Sequence, residues 1–233
     1  MREIVGDVQP QDGTIESAIP VGAGLSSSTA LTTALLFALR DGTKPTAQQV
    51  LDAEIAATGV PGGLMDQTAI LDGKQGHALL LDCASGVFDL IALPPQTAFV
   101  VIDTGTRRKL ADGRYAQRRA EVEAGEPKRV RHAEGEQARV YAAAEAMDDP
   151  DDLGRIIAAS HRSLRDDFEV SSKELDEAVA RAEAQKGCTG ARLVGAGFAG
   201  CVLAIAHADE AQRVADVFDR AWVVRAVDGA SEV

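Results

Sequence analysis

The run Pro20–Val21–Gly22–Ala23–Gly24–Leu25–Ser26–Ser27–Ser28–Thr29–Ala30 constrains this chain more than any other stretch. Two glycines free the backbone to wrap closely, and three hydroxyls follow. A helix is expected directly after it, Leu31 to Leu39, with Leu31, Leu35 and Leu39 on one face. Backbone N–H groups at such a helix start, reinforced by the helix dipole, form a cradle for an anion such as phosphate. The same residues also fit a plain Gly/Ser loop capping a buried helix.

Around that run the pattern mixes short strands with helices. Thr14 to Ile19 reads as a strand feeding the loop. Asp41–Gly42 ends the helix, and Thr46 with Gln49 forms a capping box that opens a helix through about Ala57. Gly59 to Gly63 break the chain before a helix at Leu64 to Leu71. His77–Asp82 and Val87–Leu93 read as strands joined by Ala84–Ser85–Gly86, and Pro94–Pro95 as a linker. Ala98–Asp103 is a buried type of strand, followed by the loop Thr104–Gly105–Thr106. Gly113 to about Gln185 is helical, with a polar break near Gly125 to Glu136. The tail alternates: strand Ala191–Val194, loop Gly195–Gly200, strand Cys201–Ala206, helix Ala208–Ala221, strand Trp222–Val227. This order lacks regular βαβ alternation and predicts an α+β chain of two domains, 1–96 and 97–233.

Composition narrows the partners. With 233 residues, 45% of them hydrophobic, the chain can bury a real core. A formal net charge of -12 argues against general nucleic-acid binding. An acidic chain can still hold phosphates through backbone donors and a metal ion. No apolar run is long enough to span a bilayer, and Met1–Asp7 lacks the apolar centre of a signal peptide. Cys83, Cys188 and Cys201 fit neither a zinc pattern nor a disulfide framework, and read as reduced, mostly buried thiols of a cytoplasmic protein.

Three further groupings could carry chemistry. Glu54 lies on an amphipathic helix, and Asp66 follows Gly62–Gly63–Leu64–Met65. A carboxylate near a phosphate loop can hold Mg²⁺, and one near a hydroxyl substrate can accept or orient its proton. The same residues also fit a solvated helix position and a helix cap. Gly195–Gly200 matches G-x-G-x-x-G, but a strand follows it where a dinucleotide site needs a helix. It reads as a tight turn, either a plain hairpin or one pressed on a neighbouring loop or a phosphate. Ser160–Ser171 is dense in polar groups and suits an exposed, salt-bridged helix end. His161 and Ser163 do not make a hydrolase, because no G-x-S-x-G elbow is present.

Together these segments resemble the galactokinase branch of a family of small-molecule kinases that includes homoserine, mevalonate and phosphomevalonate kinases. Pro20–Ala30 resembles the family's phosphate loop, and Gly59–Gln67 the stretch around its catalytic aspartate, continued by Gly76–Cys83. Arg108–Ala111 with Tyr115 and Arg118–Arg119 resembles a segment of the galactokinase branch, as does Ser160–Ser171. Gly190–Cys201 resembles the third, glycine-rich motif.

The resemblance implies ATP and Mg²⁺ as cofactors and phosphorylation of galactose at its C1 hydroxyl, giving galactose 1-phosphate and ADP. Asp66 would be the catalytic base or orienting carboxylate, and Gly63 and Tyr115 would contact the sugar. Gly22, Gly24, Leu25, Ser26, Ser27 and Ser28 would cradle the nucleotide, supported by Gly195 and Gly197. Ser28 and Glu54 would hold the metal. The implied fold is a two-domain kinase with a ferredoxin-like C-terminal part. The alternative is a relative that binds ATP or sugar without turnover.

Departures from the family pattern go with the match. The family's Gly-Glu-His-Thr-Asp-Tyr signature and its preceding arginine, which bind sugar and supply a cation, do not occur in these residues. Their lack implies a shortened N-terminal domain, and a second chain supplying that segment is an implied partner. Additional helical structure of the family has no counterpart after Arg119, where Glu121–Arg131 runs almost directly into a helix. Ala196 and Ala199 stand where glycine is usual, and either crowd the nucleotide or stiffen the turn.

Overall fold

The computed structural model describes residues 12–40, 42–59, 62–107 and 113–231. Asp41, Val60, Pro61, Arg108–Ala111 and Met1–Asp7, all used in the sequence reading, lie outside the described residues. The chain divides into two units. The first comprises Met1–Val21, Ser26–Leu90 and Ala226–Val233, and the second Gly22–Leu25 and Ile91–Arg225.

The first unit packs helices α1 (Ser27–Leu39), α2 (Ala47–Thr58) and α3 (Met65–Asp72) around Leu36, Val50, Ala53 and Leu71. The expected capping box opens α2: Gln49 N donates to Thr46 Oγ1 at 3.2 Å, and Thr46 N to Gln49 Oε1 at 3.0 Å. Strands β1 (His77–Leu81) and β2 (Phe88–Ala92) follow as a two-stranded sheet. The carboxylate of Asp82 ties their turn, accepting from Ala84 N and from the Ser85 hydroxyl. The C-terminal segment returns along α3, where Ala230 N donates to Ile70 O at 2.7 Å and Gly229 N to Gly73 O at 2.8 Å.

The second unit is built on an antiparallel sheet in the order β4-β5-β3-β6. Its strands are β3 (Thr97–Asp103), β4 (Cys188–Leu193), β5 (Cys201–His207) and β6 (Ala221–Val224). Helices α4 (Arg114–Glu123), α5 (Pro127–Glu145), α6 (Pro150–Asp166) and α7 (Lys173–Glu183) lie between β3 and β4, and α8 (Ala211–Asp216) between β5 and β6. Strand, helices, hairpin, helix, strand in this sheet order is the ferredoxin-like arrangement. Val100, Ile102, Leu193, Val202 and Ala204 meet Leu164, Leu175, Val179 and Val214 in one core. Helix α6 crosses β4 backbone to backbone, since a Cβ on Gly190 would stand 2.0 Å from Gly154 O.

Several expectations need correction. Thr14–Ile19 is not a strand, and Ile15 and Ile19 are exposed, because no neighbouring strand pairs with it among the described residues. Helix α1 begins at Ser27, four residues before Leu31. It buries Thr29, Thr33 and Leu36 rather than the Leu31–Leu35–Leu39 stripe, and Leu31 is exposed. The Thr29 hydroxyl finds its partner in the Glu54 carboxylate, whereas that of Thr33 is buried with no hydrogen-bond partner among the described residues. The helical break is three residues, Ala124–Glu126, because Pro127 starts α5 and the Glu126 carboxylate caps it. Helix α8 spans only Ala211–Asp216. Ser160, His161 and Ser163 are buried, not on an exposed end, because α6 presses this face on the sheet. Cys83 is exposed while Cys201 is buried, and all three thiols are free. Burial pushes the Cys201 thiol up to about 12 and that of Cys188 up to about 11, so both are protonated and unreactive near neutrality.

Candidate active site

The Gly/Ser run follows a left-handed path. Gly22 and Gly24 have φ of 71° and 78°, and Ser26 joins them at 54°. A serine there is strained, and such strain concentrates where a loop has been shaped for binding. Ser26 places no side-chain cap on α1, and the first turn of α1 carries no acidic residue. The first N–H groups of a thirteen-residue helix are therefore left for an anion. Ser28 points to solvent and Ser26 and Ser27 are half-buried.

Beneath this loop, within the second unit, lies the turn Gly195–Gly200. A Cβ on Gly195 would sit 3.4 Å from Gly24 O, and one on Gly200 would come within 2.5 Å of Ala23 O. Phe198, at φ 65°, donates its N–H to Val170 O at 2.6 Å. The turn is thus pressed on the neighbouring Gly/Ser loop, as in the second of its two sequence readings. Gly200 is the closest contact, and the sequence reading passed over it in favour of Gly195 and Gly197. Its place as the last glycine of G-x-G-x-x-G was the available signal.

In the first unit Glu54 is not a solvated helix residue. Thr29 Oγ1 donates to both of its carboxylate oxygens at 3.0 Å, and Gln67 Nε2 donates to Oε2 at 2.5 Å. Gln67 Oε1 is buried with no hydrogen-bond partner among the described residues. Among the described residues Ser28 makes no hydrogen bond to Glu54, and the α1 hydroxyl that reaches it is that of Thr29. One residue along a helix is a rotation of about 100°, which no sequence pattern resolved between adjacent hydroxyls. Asp66, beside Gln67, sits half-buried in the first turn of α3 and has no hydrogen bond or ion pair among the described residues. That turn favours its negative charge. Gly63 is exposed, with open space where a side chain would stand.

Tyr115 stands exposed on α4. Its ring meets Phe168 edge-on at 6.4 Å, and Phe168 stacks on His132 at 4.4 Å. Arg114 lies over the Phe198 ring at 4.2 Å, so α4 also touches the glycine turn. Buried Arg129 anchors the corner after α6, bonding Glu121 and Glu169 at 2.7 Å and the Asp167 carbonyl. Burial opposes the Arg129 charge, yet its bonds to Glu169 and Glu121 carry its pKa above the ordinary arginine value. His132 and Arg129 escaped the sequence reading, and Phe168 entered it only as a member of the Ser160–Ser171 run, because nothing in spacing joins helices α4, α5 and α6.

Hard oxygen donors such as a serine hydroxyl and a carboxylate suit Mg²⁺. No group of three or more His, Cys, Asp or Glu that could hold a metal exists among the described residues. Mg²⁺ commonly takes one or two carboxylates and completes its shell with substrate phosphates and water, so the residues present fit that ion on a nucleotide.

The family of GHMP kinases matches on both sides, its N terminal domain over residues 1–74 and its C terminal domain over 141–224. The galactokinase of Bos taurus is 36% identical over 236 residues, covering 86% of this chain and 60% of the bovine protein. That of Roseiflexus sp. (strain RS-1) is 34% identical over 273 residues, covering 95% of this chain and 70% of the relative. The crystal structure of Lactococcus lactis galactokinase complexed with galactose superposes with a TM-score of 0.78 at 28% identity, over 91% of this chain and 68% of that one. The chain belongs to the galactokinase family of GHMP kinases. It spans 60% to 70% of the length of these two curated relatives.

Proposed function

We propose that this chain transfers the γ-phosphoryl group of ATP to the C1 hydroxyl of galactose, giving galactose 1-phosphate and ADP. The observation that carries the reading is the uncapped, left-handed entry into α1, seated on the Gly195–Gly200 turn. Gly22, Gly24, Leu25 and Ser26–Ser28 hold the nucleotide phosphates, with Gly195 and Gly197 beneath. Ser28 and Glu54 hold Mg²⁺, and Thr29 and Gln67 orient the Glu54 carboxylate. Mg²⁺ held there would supply positive charge to offset that of the transferring phosphate. Asp66 is unpaired and free to accept or orient the C1 hydroxyl proton, while Gly63 and Tyr115 contact the sugar. Phosphoryl transfer needs mainly positioning and charge stabilisation, which such residues supply.

The reaction belongs in the cytoplasm, and no described helix is long and apolar enough to cross a membrane. A segment bearing the family's Gly-Glu-His-Thr-Asp-Tyr signature, on a companion chain, would add sugar ligands and a cation to this set. The identity of the product tests the reading. Phosphorus NMR of a reaction with Mg-ATP and galactose should show the new phosphate coupled to the C1 proton. Phosphate on another sugar oxygen, or transfer to homoserine or mevalonate in preference to galactose, would refute it.

A further inference from the structure

The hydroxyls of the Thr104–Gly105–Thr106 loop are not used by the proposed chemistry, yet they close on Gly200. Gly200 N donates to Thr106 Oγ1 at 3.1 Å, and Thr104 Oγ1 donates to Gly200 O at 2.6 Å. The two threonine oxygens stand 2.7 Å apart. The proton positions follow from valence. An amide N–H can only donate and a carbonyl can only accept. Thr104 spends its one proton on the carbonyl, so Thr106 donates to Thr104. A closed ring results, running from Gly200 N–H through Thr106 and Thr104 back to Gly200 O. Hydrogen bonds chained in one direction polarise and strengthen each other.

The ring has a firm base. Arg107 donates to Asp103 through two bonds of 2.7 and 2.8 Å, and Gly105 N donates to it at 2.9 Å. Burial works against the Asp103 charge, but Arg107 and Gly105 hold its carboxyl below the usual carboxylate range. On its far side Gly200 packs on Ala23, with no room for a methyl group between them. The ring therefore sets the height of the surface on which Ala23 and Gly24 rest.

We propose that Thr104 and Thr106 are positioning residues for the nucleotide, fixing Gly200 and, through it, the donors of the phosphate loop. The proposal rests on the reading of Gly22–Ser28 as the nucleotide phosphate site. Valine keeps the shape of threonine and removes the hydroxyl, and serine keeps the hydroxyl. Mg-ATP and galactose are titrated separately by calorimetry into the purified chain and into T104V, T106V, T104S and T106S. Each valine variant should weaken Mg-ATP about tenfold, the worth of one well-placed hydrogen bond, with galactose affinity unchanged. The serine variants should stay within about twofold of the parent, because they retain the hydroxyl.

Valine variants that bind Mg-ATP like a parent that does bind it overturn this proposal and leave the phosphate-loop reading standing. Equal losses for both ligands, or no rescue by serine, reduce the threonines to general stability and overturn the proposal as well. A folded parent that does not bind Mg-ATP overturns the phosphate-loop reading, and the proposal falls with it. Slow hydrogen exchange at the Gly200 amide of the parent is expected whether or not any variant folds, and fast exchange there contradicts the ring.

Discussion

Glu54 shows how much of a site turns on one residue's neighbours. Two donors, Thr29 and Gln67, hold its carboxylate from adjacent helices, and neither was visible in the sequence as its partner. Adjacent hydroxyls at 28 and 29 look alike in a string of letters. A three-dimensional rotation separates them, one outward and one against the carboxylate. Replacing Glu54 with Gln removes the charge that a cation needs and keeps the side chain's size. The Mg²⁺ concentration required for half-maximal ATP binding should rise by about tenfold, with the melting temperature nearly unchanged, since one charge-assisted contact to the ion is lost. An unchanged Mg²⁺ requirement in a folded E54Q variant would remove Glu54 from the metal site.

At the scale of elements, the strands and helices were largely legible where local chemistry decides them. The Thr46–Gln49 box, the Asp82 turn and the β4–β5 hairpin follow from residues a few positions apart. What remained hidden depends on partners distant in sequence. Thr14–Ile19 has a strand's letters and no strand beside it among the described residues, and within Ser160–Ser171, a run with a surface helix's letters, Ser160, His161 and Ser163 pack inward.

Two buried histidines, His132 on α5 and His161 on α6, carry a pH signature. Burial lowers the pKa of His132, opposed by Glu136 and Asp167 and aided by Arg139 and Arg192. Burial likewise lowers that of His161, against Asp176 and Glu183 and with Arg165. Leu193 N donates to His161 Nδ1 at 3.4 Å, which fixes the neutral tautomer with its proton on Nε2. The folded state resists protonating both rings, so below the ordinary histidine pKa the unfolded chain binds more protons. Stability is then complete above about pH 6.5 and falls as pH drops from there towards the lowered folded values. The melting temperature should decline between about pH 6.5 and 5.5, and a H132Q/H161Q variant should show a shallower decline. An equal slope in that variant would mean other groups set the acid limit.

For the whole molecule, the family match and the two-unit α+β plan agree with what the ordered motifs imply. The division itself was less legible. Between Val21 and Ser26 the Gly22–Leu25 stretch falls in the second unit, and residues after Arg225 return to the first unit along α3. Composition shifts such as Pro94–Pro95 mark a linker but cannot register a chain that comes home, because backbone bonds such as Ala230 N to Ile70 O leave no trace in residue type.

The central claim is that this chain is a galactose-phosphorylating kinase acting through Asp66. Galactose-dependent ADP release by the purified chain with Mg-ATP, set beside D66A, tests it most directly. The account predicts turnover in the parent and a loss of about 10²–10⁴-fold in D66A, with Mg-ATP binding retained, as for removal of a positioned proton acceptor. A folded, ATP-binding parent that releases no ADP when galactose is added would contradict it, and so would a D66A variant that turns over like the parent.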